Sequence, residues 1–181
     1  MGCDIHTYVE YADWENEDGP YWKNFTSNGG SRDYLMFGIL AGVRAPTIQL
    51  FEPKGIPKGR LGYETEDDYW YRIAPESSPA LADHDGWASM ANAERWIEDG
   101  CSTPDFRDGK LFRVSGPDWH SHSWLTREEL EKAVDHYAKI VPEHYPAAEP
   151  KAPAEWRAIV AAMRAFEDAG AKTRIVFWFD N

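Results

Sequence analysis

The chain has 181 residues, enough for one ordinary domain whose core needs no disulfide or metal staple. Its 19 Lys plus Arg against 31 Asp plus Glu give a net charge of −12, which argues against a broad duplex nucleic-acid footprint, since that requires a basic face. No apolar run approaches the roughly 18 residues of a membrane span, and no basic, then apolar, leader marks a signal peptide.

Residues 3–11 read as a strand. Cys3, Ile5, Thr7 and Val9 point one way, as a core face requires, and Asp4, His6, Tyr8 and Glu10 point the other. The second row sets an acid, an imidazole, a phenol and a second acid side by side, a mix that binds a metal, moves a proton or holds a polar ligand. Asn16-Glu17-Asp18-Gly19-Pro20 is a turn signal, so Tyr21–Phe25 is expected to return as a second strand and close an N-terminal hairpin. After a loop at 28–31, Asp33–Val43 is an apolar helix.

Residues 44–80 carry Pro46, Pro53, Pro57, Pro75, Pro79 and an acidic stretch from Glu64 to Asp68. They are expected to be an irregular Pro/Gly-rich excursion that closes over a ligand or a neighbouring subunit. A helix is predicted within 83–98 and a short strand at Phe112–Ser115. Thr126-Arg127-Glu128-Glu129 is a capping box, followed by Leu130, Ala133, Val134, Tyr137 and Val141 at helical spacing; Pro142 is expected to end that helix. Pro146–Pro153 is a linker. Glu155–Ala169 is a last helix, with Trp156, Ile159, Val160, Met163 and Phe166 as its stripe. Thr173–Phe179 is an apolar, central strand. The predicted class is α+β over a single domain, 1–181: a small mixed sheet including the N-terminal hairpin and the C-terminal strand, packed with three or four helices.

The chemistry-bearing residues fall in two clusters. Asp4 and His6 sit at i, i+2 on the first strand, and Asp180 lies at the end of the last. His120, Ser121 and His122 precede the capped helix, and an extended His-x-His piece puts both rings on one side. Asp4, His6, His120 and Asp180 form a candidate mixed N/O ligand set for a divalent metal that activates water. Arg44 and Arg174 are the candidate cations for an anionic ligand, and Glu10 completes the polar row. Lys54, Lys58 and Arg60 make the excursion locally basic. No Walker, GxSxG, GxGxxG or HExxH motif occurs. The only cysteines, Cys3 and Cys101, lack metal spacing and read as free thiols in a reducing compartment. The 9 Trp, 9 Tyr and 8 Phe serve a core, an aromatic pocket or an oligomer interface.

MGCDIHTYVE at the start, SRDYLMFGILAGVR at 31–44, HSHSWLTREEL at 120–130 and RIVFWFDN at the end resemble a family of small tailed-bacteriophage proteins. The resemblance transfers no established chemistry. It implies expression in the cytoplasm of an infected bacterium, and it raises the class of phage proteins that counter host immunity by sequestering or cleaving nucleotide signals. The leading expectation is an accessory protein that sequesters a cyclic dinucleotide or a relative of cyclic ADP-ribose. Asp4, His6, Glu10, Arg44, His120, Ser121, His122, Arg174 and Asp180 would line its site, in a homo-oligomer, expected as a dimer. The alternatives are a metal-dependent phosphodiesterase and an acidic protein-binding inhibitor.

Overall fold

The alternating row at the start becomes strand β1 (Asp4–Ala12) in a computed structural model that describes residues 2–28 and 32–180. A two-residue ribbon, β2 (Glu15–Asn16) with β3 (Gly19–Pro20), turns the chain, and β4 (Lys23–Asn28) returns along β1. The N-terminal hairpin is therefore present, with its return strand two residues later than predicted. Gly29 to Ser31, in the predicted loop, lie outside the described residues.

Helix α1 (Tyr34–Ala41) starts where the Asp33 carboxylate accepts the amides of Leu35 and Met36. It ends at Gly42, whose left-handed φ of 70° frees its amide to bond the carbonyls of Phe37 and Gly38. The chain then crosses the far face of the sheet. Here the sequence reading needs correction in part: residues 63–73 of the excursion are regular. Helix α2 (Tyr63–Tyr69) runs into β5 (Trp70–Ile73), followed by β6 (Trp87–Ala88), α3 (Met90–Glu98), β7 (Pro104–Arg107) and β8 (Lys110–Ser115). The prolines that suggested irregularity flank α2 rather than interrupt it. Thr65 and Tyr69, at i, i+4, bury one side of that helix. The strands form a second sheet in the order β6-β5-β8-β7, in which β5 and β6 are parallel.

The chain re-enters the first sheet through β9 (His120–Leu125). Helix α4 (Arg127–His144) follows, opened by the predicted capping box: the Glu129 amide donates to Thr126 Oγ1 and the Thr126 amide donates to Glu129. Pro142 does not end α4. One further turn closes beyond it, where the Tyr145 amide donates to the Val141 carbonyl. Helix α5 (Ala154–Asp168) and the final strand β10 (Lys172–Asp180) complete the chain.

The architecture is α+β, as predicted, with β1 and β10 side by side in an antiparallel sheet of order β4-β1-β10-β9. Helices α1, α4 and α5 cover one face. Ile5, Val9, Ile175, Phe177 and Phe179 of the sheet pack there against Phe37, Leu130, Trp156 and Met163. Each of those large side chains contributes roughly 1.5–3 kcal/mol on burial. The opposite face carries Val176 and Trp178, buried under Tyr69, with Tyr8, Trp119 and Trp124 around them. Every residue from Thr173 to Phe179 is buried because layers lie on both faces of β10, which explains why TRIVFWF is apolar without alternation. No helix among the described residues is long and apolar enough to cross a membrane.

Candidate functional site

The register of β1 on β10 decides what the polar row meets. Asp4 lies opposite Asp180, His6 opposite Trp178 and Glu10 opposite Arg174. Directly opposed residues share a face, so each becomes a side-chain pair. The three pairs have different fates.

His6 stacks on Trp178, with ring centroids 5.4 Å apart. Its Nδ1 lies 2.9 Å from the Asp68 carboxylate and its Nε2 lies 3.3 Å from that of Asp180. Tyr8 donates its hydroxyl to the same Asp68 oxygen at 2.7 Å. Burial alone would favour the neutral imidazole, but the hydrogen bonds and charges of Asp68 and Asp180 outweigh it and raise the His6 pKa. Asp68 responds in the opposite sense: despite burial, His6 and Tyr8 hold its carboxyl below the usual range. Burial, then the Asp68 carboxylate, push the Tyr8 phenol well up. The result is a half-exposed carboxylate–imidazole–carboxylate relay. Asp68 is the member that sequence reading missed. The acidic stretch was visible, but only the fold of α2 turns one of its carboxylates toward β1.

Asp4 is committed elsewhere. Arg32 grips it as a fork, Nε to Oδ1 at 2.5 Å and Nη2 to Oδ2 at 2.8 Å, and so lowers its pKa. Glu10 and Arg174 are scaffold. Glu10 is 0% and Arg174 6% exposed, and they pair at 2.6 Å. The other Glu10 oxygen accepts from the Gly62 amide and the Thr65 hydroxyl, both at 2.6 Å. Arg174 also donates to the Arg60 carbonyl at 2.8 Å and lies 4.0 Å from the centroid of Trp22. The pair therefore fastens the excursion to the sheet. Arg44 interacts with Cys3, whose side chain lies on the opposite face of β1 from the row. It follows α1 in a left-handed conformation (φ 62°).

His120 and His122 do not share a side. A bulge places Phe179 opposite His120 while Phe177 stays opposite Ser123, and Ser121 absorbs the extra residue at φ 51°. His120 stacks against Phe179, whereas His122 meets Tyr69 edge-on at 5.3 Å. Ser121 Oγ lies 3.0 Å from His120 Nδ1. The predicted metal set Asp4, His6, His120 and Asp180 is thus not gathered around one point. Among the described residues no group of three or more His, Cys, Asp or Glu side chains is placed to hold a metal ion.

Around this row the layers leave linked hollows. Trp119, in ring contact with His6, Tyr69, Tyr71 and Trp178, walls two of them. One, of about 430 Å³, reaches His120 and His122, and Ser102, Thr103, Ser115 and Asp118 are among the residues that line it. The other, of about 290 Å³, is acidic, with Asp67, Asp68 and Asp85 beside Tyr71 and Tyr63. Tyr63, 76% exposed at the start of α2, also borders two further hollows. The larger, about 550 Å³, is lined by Tyr21, Trp22, Lys23, Arg60 and Arg107. Its neighbour, about 400 Å³, is lined by Trp70, Arg72, Phe112, Arg113 and again Arg107.

These two hollows share Tyr63, Glu66 and Arg107 and form a groove whose lining mixes aromatic rings and cations with the acids Glu64, Glu66 and Asp67. Most of the cations are already neutralised: Arg113 by Glu66 and Asp105, Arg72 by Asp67, Arg60 by Asp18 and Lys23 by Asp13. Arg107 forms no ion pair among the described residues. Its guanidinium lies 3.7 Å from the centroid of Phe112. It stands at the end of β7, beside the Asp108-Gly109 turn, where both residues have positive φ, as a two-residue hairpin requires. Arg107 was not singled out from sequence. The Asp-Gly hairpin signal was the available clue.

The chain matches no protein-family model, no curated protein and no solved structure. The site is therefore read from its own geometry.

Proposed function

We propose that this chain binds a small nucleotide-type ligand, of the size of a cyclic dinucleotide or a cyclic ADP-ribose relative, in the Tyr63–Arg107 groove, and sequesters it unchanged. One observation carries the reading: an exposed tyrosine at the junction of three hollows lines the same groove as an arginine that forms no ion pair among the described residues. Stacking on Tyr63, Tyr21 or Trp22 would be worth about 1–3 kcal/mol per base. Arg107 would supply a charge-assisted bond to phosphate on a protein that is otherwise acidic. The cation that serves the ligand is then Arg107, in place of Arg44 and Arg174. A phage accessory role is part of the same proposal and rests on the sequence resemblance.

The test is retention and release. The protein is mixed with a panel of cyclic dinucleotides and cyclic ADP-ribose relatives, separated from unbound ligand and then denatured by heat. Recovery of one intact nucleotide in stoichiometric amount supports sequestration. A new product overturns it in favour of an enzyme, and retention of nothing refutes nucleotide binding.

A further inference from the structure

We infer a second binding site, separate from the nucleotide groove: the hollow between Trp119 and His122 takes an uncharged, planar, hydrogen-bonding ring, of the chemical class of a nucleobase or nucleoside. Its volume of about 430 Å³ suits a ligand of that size.

Three features point the same way. The first is an unmet polar atom. His122 Nε2 is buried and has no hydrogen-bond partner among the described residues. Buried polar atoms are nearly always satisfied, so an imidazole nitrogen left in this state at the wall of a hollow calls for a partner from outside the chain. The second is charge. No Lys or Arg lines the hollow, and Asp118 is its one acid. Burial, then the neighbouring His120, drop the His122 pKa to about 4, so the ring is neutral at pH 7 and offers one donor and one acceptor nitrogen rather than a charge. An ionic ligand would be desolvated there without compensation. A neutral ring edge carrying N–H and C=O groups matches.

The third is shape. Trp119 forms the aromatic wall, and its position depends on Gly116: a Cβ at 116 would lie 2.5 Å from the indole. The hydroxyls of Ser102 and Ser115 and the Thr103 residue line the hollow beside the imidazole. Ser102 Oγ donates to the Ser115 carbonyl at 2.5 Å, and Ser115 Oγ accepts the Thr103 amide at 2.9 Å. These bonds, with those of Ser115 and Thr103 to the Tyr69 hydroxyl, fix the polar wall in place, and Ser102 Oγ keeps acceptor capacity for a ligand. The ligand would stack on Trp119 and present its polar edge to His122 and the serines.

The experiment titrates the intact protein with free nucleobases and nucleosides, each without phosphate. Tryptophan fluorescence reports binding, and the long-range nitrogen–proton NMR signals of His122 report its location. The expected result is saturable quenching by at least one of these compounds, with a shift at His122 Nε2. His122→Phe, which keeps a ring of similar size but removes the nitrogens, should weaken that binding by about tenfold. Circular dichroism and a melting curve identify a variant that fails to fold, and Ser115→Ala then provides the second probe of the same wall. The Tyr63→Ala, Arg107→Ala double variant should bind the nucleoside as tightly as the wild type, which separates this site from the groove. The inference is overturned if no base or nucleoside saturates, if folded His122→Phe binds with unchanged affinity, or if the groove double variant abolishes nucleoside binding.

Discussion

Breaking the Glu10–Arg174 pair should destabilise the protein far more than its single ion pair suggests. Arg174→Met leaves the Glu10 carboxylate buried with only the Gly62 amide and the Thr65 hydroxyl to hold it. Glu10→Gln leaves the guanidinium buried against the Trp22 ring and the Arg60 carbonyl. Removing one partner of a buried pair costs about 3–5 kcal/mol, because the surviving charge stays desolvated. For a chain of this size 1 kcal/mol corresponds to roughly 2–4 °C in Tm, so each single variant should melt about 6–20 °C lower. The double variant Glu10→Gln, Arg174→Met removes both charges and should fall well short of the sum of the singles. Thermal and urea melts of the four proteins provide the cycle. Additive losses, or singles costing less than about 1 kcal/mol, the range of an exposed pair, would refute the argument that these residues are scaffold.

The remaining predictions concern the relay, the cap and the two histidines. His6 is raised from 6.5, so its contribution to stability is complete below pH 6.5 and fades as pH rises through the native value. Asp68 is lowered from 3.8, so its contribution is present above pH 3.8 and fades as pH falls through its native value. The pair is therefore strongest between those limits. NMR titration should place the His6 midpoint above 6.5, and Asp68→Asn should lower it; a midpoint unmoved by that change would contradict the contact. His122 should show no protonation between pH 5 and 8 in the same spectra, since its pKa is about 4. Thr126→Ala removes the capping hydroxyl of α4 and should cost about 1 kcal/mol in urea melts. Gly116→Ala should displace the Trp119 indole, read as a shift in tryptophan emission with secondary structure retained.

The sheet was legible because its signals are local. A period of two over residues 3–11 marks β1, and the two-sided burial of 173–179 marks β10 as central. The capping box at Thr126 fixed the start of α4 in the same way. Asp4, His6 and Asp180 were legible as neighbours of one another because both strands end at the same sheet edge. What local pattern could not show was partner choice. Glu10 and Arg174 carry the residue types of a ligand site, and only the antiparallel register pairs them with each other. His120 and His122 obey the strand period in sequence, and a single bulge at Ser121 breaks it. The aromatics of the excursion, Phe51, Tyr63, Tyr69, Trp70 and Tyr71, read as an apolar set to be covered by a ligand or a neighbouring subunit. Tyr69 is buried, and Trp70 and Tyr71 are half-buried, packed into the two layers, which leaves Tyr63 as the exposed member of that group. Asp68 and Arg107 depend on the second layer, whose short elements lie among prolines and glycines and give weak periodic signals.

The central claim concerns a nucleotide-type ligand held between an aromatic face and an arginine. Its most direct test is isothermal titration calorimetry of the wild type and of Arg107→Ala with whichever cyclic nucleotide the retention panel identifies. The account predicts a saturable isotherm for the wild type, weakened at least about tenfold by Arg107→Ala through loss of a charge-assisted bond, with the affinity of the wild type falling as salt rises. Unchanged affinity in Arg107→Ala, or wild-type binding indifferent to salt, would contradict it.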